Sequence, residues 1–114
     1  MATYENLPVY KVSYDLLLLL FKSSKHMQRD YRYTLGESMK KELMTLLQNI
    51  YRANCATHKK ELLATARENV EVIRLQFRLC NDLNQFPLRD FVRANEYIES
   101  LSKQLTAWER SVKQ

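Results

Sequence analysis

Glycine occurs once and proline twice in this chain of 114 residues. Sandwiches and barrels spend both residues on their many tight turns, so this scarcity argues against an all-β fold. The longest apolar run, Leu16 to Phe21, is far short of the about 20 residues that cross a bilayer, and no membrane role is expected. Cysteine occurs twice, at Cys55 and Cys80, with no Cys-x-x-Cys pair, which removes the usual zinc and haem-attachment motifs. Two isolated thiols and no secretory signal point to a reducing, cytoplasmic setting with both cysteines buried as small hydrophobes. The two histidines, His26 and His58, belong to no Glu-x-x-His pair, so a di-iron carboxylate bundle is unsupported. Gly36 stands alone, which leaves no glycine-rich phosphate loop, and no nucleophile elbow is present. No catalytic constellation, metal or cofactor is therefore expected.

What the chain does contain is helix-forming. Leu, Lys, Arg, Glu and Gln dominate, and 46% of residues are apolar, enough to pack one core. The apolar pattern resolves into four helices. Helix 1 is expected from about Leu7 to Met27, with Pro8 in the first turn, where it is tolerated. Gln28 to Tyr33 breaks the pattern and reads as a connection. Thr34 and Glu37 are spaced as a capping box, which starts helix 2 at Thr34 and runs it to about Asn54. Thr57 is the expected cap of helix 3, which ends near Leu83. Asn84 to Pro87 forms the last connection, and helix 4 covers about Leu88 to Val112. In helix 3, Leu63, Ala66, Val70, Ile73, Phe77 and Cys80 recur at bundle spacing. Phe91, Ala94, Ile98, Leu101, Leu105, Trp108 and Val112 do so in helix 4. Short connections make neighbours antiparallel, so the expectation is all-α, an up-down-up-down four-helix bundle forming a single domain over residues 1–114.

Two features exceed the needs of one core. Val72, Leu75, Leu79 and Leu83 form a second stripe on helix 3, nearly opposite the first, and suggest an oligomer interface. The run Leu16 to Phe21 must likewise point all the way round helix 1. Between the stripes of helix 3, Lys60, Arg67, Arg74 and Arg78 fall within about 40° of one another. With a net charge of +5 and a pI near 9.3, this ridge is a candidate phosphate-binding surface, although Glu71 is spaced to pair with Arg67 and Arg74. Arg29, Arg32, Lys40, Lys41, Arg52 and Lys59 are further candidates, and Tyr31 and Tyr33 interleave with the first two as possible stacking platforms. The excess charge is spread evenly over successive segments, so any patch must arise from folding.

The segment Arg32-Tyr33-Thr34-Leu35-Gly36-Glu37 after a long first helix resembles the accessory variability determinant proteins of diversity-generating retroelements. The run from Glu71 to Leu83 and the last helix, with Leu101 and Trp108, are similar to that family as well. The resemblance spans about Leu7 to Trp108. One departure is at the C-terminus, where members often carry Gly-Gly-Trp and Trp108 here follows Thr106-Ala107. A sister group, the four-helix proteins encoded in ribosomal RNA intervening sequences, shares the fold, but its characteristic helix 2 segment is missing. The resemblance implies a non-catalytic homopentamer that binds RNA or DNA and a reverse transcriptase, in support of mutagenic retrohoming. The alternative is a structural, protein-interaction bundle of the intervening-sequence type.

Overall fold

The computed structural model describes residues 6–112. Its helices are α1 (Pro8–Ser23), a 3-10 turn (Ser24–His26), the single turn α2 (Arg29–Tyr31), a π turn (Arg32–Gly36), α3 (Glu37–Cys55), α4 (Lys60–Asp82) and α5 (Leu88–Ser111). The four long helices pack in sequence, α1 on α3, α3 on α4 and α4 on α5, and α5 closes on α1. This is the expected antiparallel four-helix bundle, 45 Å long and about half as wide. No helix among the described residues is long and apolar enough to cross a membrane.

The bundle core is made by the two stripes read from the sequence. All six residues of the α4 stripe are buried, as are Ala94, Ile98, Leu101 and Leu105 of α5, while Phe91, Trp108 and Val112 pack at its edges. Leu16, Leu20, Leu43, Leu46 and Ile50 complete it from α1 and α3. At roughly 1.5–3 kcal/mol for each large side chain withdrawn from water, this stripe-on-stripe burial outweighs any local propensity. A short polar network crosses the α3–α4 seam of this core. Asn49 Nδ2 donates to Asn69 Oδ1 at 2.8 Å, and Asn69 Nδ2 donates to Glu42 Oε2 at 2.5 Å.

The second helix begins earlier than its local signals say. Backbone angles are helical from Tyr31 through Glu37, so α2, the π turn and α3 form one continuous helix. The expected connection Gln28 to Tyr33 is therefore mostly helical, and the true break is at Met27 and Gln28, both extended. Thr34 is not an N-cap: its Oγ1 donates back to the Asp30 carbonyl at 2.7 Å, from inside the helix. Tertiary partners displace the capping box. Arg32 reaches the carbonyls of Lys25 and Met27 at 2.9 and 3.2 Å, and the Gln28 amide donates to Gln85 Oε1 at 2.8 Å. Gly36 admits Met27, since a Cβ there would stand 3.2 Å from its sulfur.

The other connections differ in detail. Helix α1 stops at Ser23 and tightens into the 3-10 turn instead of running to Met27. Thr57 does not cap α4, which starts after Lys59 without a side-chain cap. Lys59 serves the preceding helix, its ammonium donating to the carbonyls of Ala53, Asn54 and Ala56 at 2.7, 3.2 and 2.8 Å. After α4, Asn84 takes a left-handed φ of 58°. The Gln85 amide bonds back to the Cys80 carbonyl at 2.9 Å, which closes the helix end in Schellman fashion. Cys80 is buried as expected, but Cys55 is exposed at the last residue of α3.

Candidate nucleic-acid interface

The ridge on α4 lies along the groove to α5, and carboxylates answer its cations. Arg67 meets Glu109 at 2.5 Å, and Arg74 is held between Glu99 and Glu71, the latter at 3.4 Å. The hydrogen bond to Glu99 is the main reason the Arg74 pKa is raised above its ordinary value. Arg78 reaches toward Asp82 at 4.0 Å and is otherwise open to solvent. Glu71 pairs with Arg74 but Arg67 takes its partner from α5. Lys60 is exposed about two turns before Arg67. The ridge is thus largely an interhelical ion-pair belt, in which each guanidinium must give up a carboxylate before it can take a phosphate.

The candidates on the second helix divide into two kinds. Arg32 caps the end of the first hairpin through backbone carbonyls, and Lys40 lies 4.5 Å over the Phe21 ring while bonding Glu37 at 3.2 Å. Both are tied into the structure. Arg29, Lys41 and Arg52 are exposed, and none has a carboxylate in ion-pair reach among the described residues. Lys41 and Arg52 are eleven residues apart in the sequence, which puts them within about 20° on one face.

The π turn decides where Arg29 points. In an unbroken α-helix Arg29 would sit about 120° from Lys41. A π turn accommodates one extra residue and so shifts the phase by about 100°. That rotation brings Arg29 to the Lys41–Arg52 line and turns Tyr31 inward. Burial agrees: Tyr31 packs against the core and Arg29 is exposed. Tyr33 is 63% exposed beside them and Tyr31 is withdrawn, so only one of the two expected stacking platforms is accessible. Residues 22–41 of this hairpin hold six basic and two acidic side chains.

A second basic line was legible but missed. Arg89, Arg93, Lys103 and Arg110 are exposed on α5 with Glu96 among them, at the same 3-4 spacing as the core stripe but on the opposite face. The same 3.6-residue period that aligns the α4 ridge aligns these side chains. Arg93 is engaged with Tyr97, at 3.1 Å to its hydroxyl and 5.4 Å over its ring.

The apolar stripe of α4 points outward as expected. Val72, Leu75 and Leu79 are 40%, 66% and 43% exposed, and Leu83 is half-buried. The run in α1 also leaves apolar side chains outside, with Tyr14, Leu18 and Phe21 exposed. Met44 and Tyr51 of α3 lie exposed beside that face. A family model described as bAvd-like matches residues 9–112. No curated protein matches the chain.

Proposed function

Since the chain belongs to the bAvd-like family, the bacterial Avd-like proteins of diversity-generating retroelements, we propose that it binds nucleic acid through the outward face of its second helix and works beside the retroelement's reverse transcriptase. Family membership gives the coarser role, an accessory protein of a diversity-generating retroelement. Members of this family are generally non-catalytic, and the chemistry of copying then belongs to the transcriptase. RNA or DNA and the transcriptase are the partners, and the assembly is a homopentamer as the resemblance implies.

One observation carries the binding surface. Arg29, Lys41 and Arg52 share a line by helical phase, are exposed, and have no carboxylate in ion-pair reach among the described residues. A cation that is not already paired gives its full Coulomb gain to a phosphate, and the counterions released on contact supply most of the affinity. Such contacts carry no base identity, so binding is expected to be largely independent of sequence. Tyr33 adds an exposed ring on which a base of a single strand can stack.

The test is a salt titration with one RNA and one DNA oligonucleotide. Each lost phosphate contact removes about 0.7–0.9 from the log–log slope, so Arg29→Ala/Lys41→Ala/Arg52→Ala should flatten it by about 2–3. Arg74→Ala/Arg78→Ala, which strips the ion-pair belt, should change it by less than one contact. A flattened slope in an Arg89→Ala/Arg93→Ala/Lys103→Ala variant alone would move the surface to α5. If the wild type binds neither oligonucleotide at low salt, the basic faces are only solvated. The protein-interaction bundle of the intervening-sequence type would then be the better reading.

A further inference from the structure

The basic side chains of α5 lie on the far side of the molecule from those of α3. Helix α3 packs on α1 and α4, and α5 packs on the same two helices. The two therefore occupy diagonal corners, and their outward faces look away from each other across a bundle 22 by 21 Å in section. On α5, Arg89, Lys103 and Arg110 are exposed and fall within about 60° of one another over about 32 Å of helix. Arg89 approaches the neighbouring Asp90 at 3.7 Å and is still 85% exposed. Lys103 and Arg110 have no carboxylate in ion-pair reach among the described residues. Glu96 lies within the same arc and offsets one of the three cations. The line from Arg29 to Arg52 on the other side is about 34 Å long, so each face offers a row of cations along most of the bundle.

What lies between the two rows keeps them apart. On the α4 side, Arg67 and Arg74 are tied to Glu109 and Glu99, and Val72, Leu75 and Leu79 are exposed apolar groups. On the α1 side, Tyr14, Leu18 and Phe21 are exposed, and Lys11 is bonded to Asp15 at 2.8 Å. A strand passing from one row to the other would leave cations for apolar side chains over most of this length. Lys22 and Lys25, exposed at the end of α1, offer a crossing there. The thickness of the bundle also matters. At about 0.1 M salt the screening length is about 10 Å, so phosphates on opposite faces stand about two screening lengths apart and scarcely repel each other.

From this we infer that each chain holds two nucleic-acid strands at once, one along α3 and one along α5. This rests on the nucleic-acid function proposed above for the α3 face and adds a second, separate site of the same chemistry. Phosphate contacts carry no base identity, so the two strands need not be related in sequence. Copying has a template strand and a product strand, and a protein with two such faces can retain both. A protein partner would want an apolar centre to bury on α5. The exposed large apolar side chains of that helix, Leu88 and Val92, sit in its first two turns, away from Lys103 and Arg110. A row of cations without such a centre fits a polyanion.

The experiment counts strands per chain, a number that does not depend on how many chains assemble. Wild type, Arg29→Ala/Lys41→Ala/Arg52→Ala and Arg89→Ala/Lys103→Ala/Arg110→Ala are each dialysed to equilibrium against a labelled RNA or DNA strand. The strand has about eight nucleotides, within the roughly 4–16 of a single-strand site. Chain concentration is kept above the dissociation constant, and circular dichroism checks that each variant keeps its helices. The expected result is two strands per wild-type chain and one per chain of either variant. One strand per wild-type chain overturns the inference. If both sets of substitutions then weaken binding, a single strand wraps the bundle past Lys22 and Lys25. If the α5 set has no effect, α5 takes an acidic protein surface instead. Two strands per chain of the α5 variant place the second strand elsewhere and overturn the inference as well. Absence of binding by wild type sinks the proposed function itself, whereas one strand held along α3 leaves that function standing and removes only the second site.

Discussion

Removing Asn69 tests whether the polar contact inside the α3–α4 seam acts as one unit. Its side chain is 7% exposed and Asn49 is 5% exposed, so neither amide finds water easily once its partner is gone. Asn69→Ala takes the acceptor from Asn49 Nδ2 and the donor from Glu42 Oε2. A buried polar group left without a partner costs about 1–3 kcal/mol, and the half-exposed Glu42 recovers water and adds little. Asn49→Ala leaves the Asn69 carbonyl oxygen unpaired at a similar cost. Were the two residues independent, the double variant would lose about 2–6 kcal/mol. Because both singles break the same 2.8 Å bond, the double should lose little more than the worse single. The coupling should fall within the roughly 0.5–3 kcal/mol seen for residues in contact. Urea denaturation of the four proteins at one fixed chain concentration measures this, since assembly otherwise shifts the apparent stability. Additive losses, or single losses below about 0.5 kcal/mol, would refute the reasoning. They would mean that water reaches the seam and that the pair is a surface contact.

Two further outcomes follow from individual side chains. Burial pushes the Cys80 thiol up to about 12, so it stays protonated at pH 8 and should resist a thiol reagent in the native protein. The exposed Cys55 should react, giving one fast thiol per chain and two after unfolding; two fast thiols in the native state would mean that the core is not as packed. Thr34→Ala should change stability by less than about 0.5 kcal/mol, because Thr34 lies inside a helix and bonds an exposed carbonyl. A loss of about 0.5–2 kcal/mol, the size of a lost N-cap, would restore the capping box and place the helix start at Thr34.

The sequence by itself determined what depends on neighbours along the chain. The repeats Leu63 to Cys80 and Ala94 to Leu105 dictate which face of each helix is buried, because a 3.6-residue period is a local property. The bundle follows from four such faces and short connections. The outward stripe Val72, Leu75 and Leu79 was legible for the same reason. The partners of charges were not. Arg67 and Arg74 find Glu109 and Glu99, 42 and 25 residues away, and only the packing of α4 on α5 brings those carboxylates near. The helix start was also decided by tertiary contacts. A capping box contributes about 1 kcal/mol locally, and it yields when Arg32, Gln85 and Met27 each gain partners across the end of the bundle by extending the helix back to Arg29. The π turn accompanies that extension and takes up one residue more between Arg29 and Lys41 than an α-helix would. No rule of spacing along the chain supplies that extra residue, so the alignment of Arg29 with Lys41 and Arg52 exists only in the folded structure.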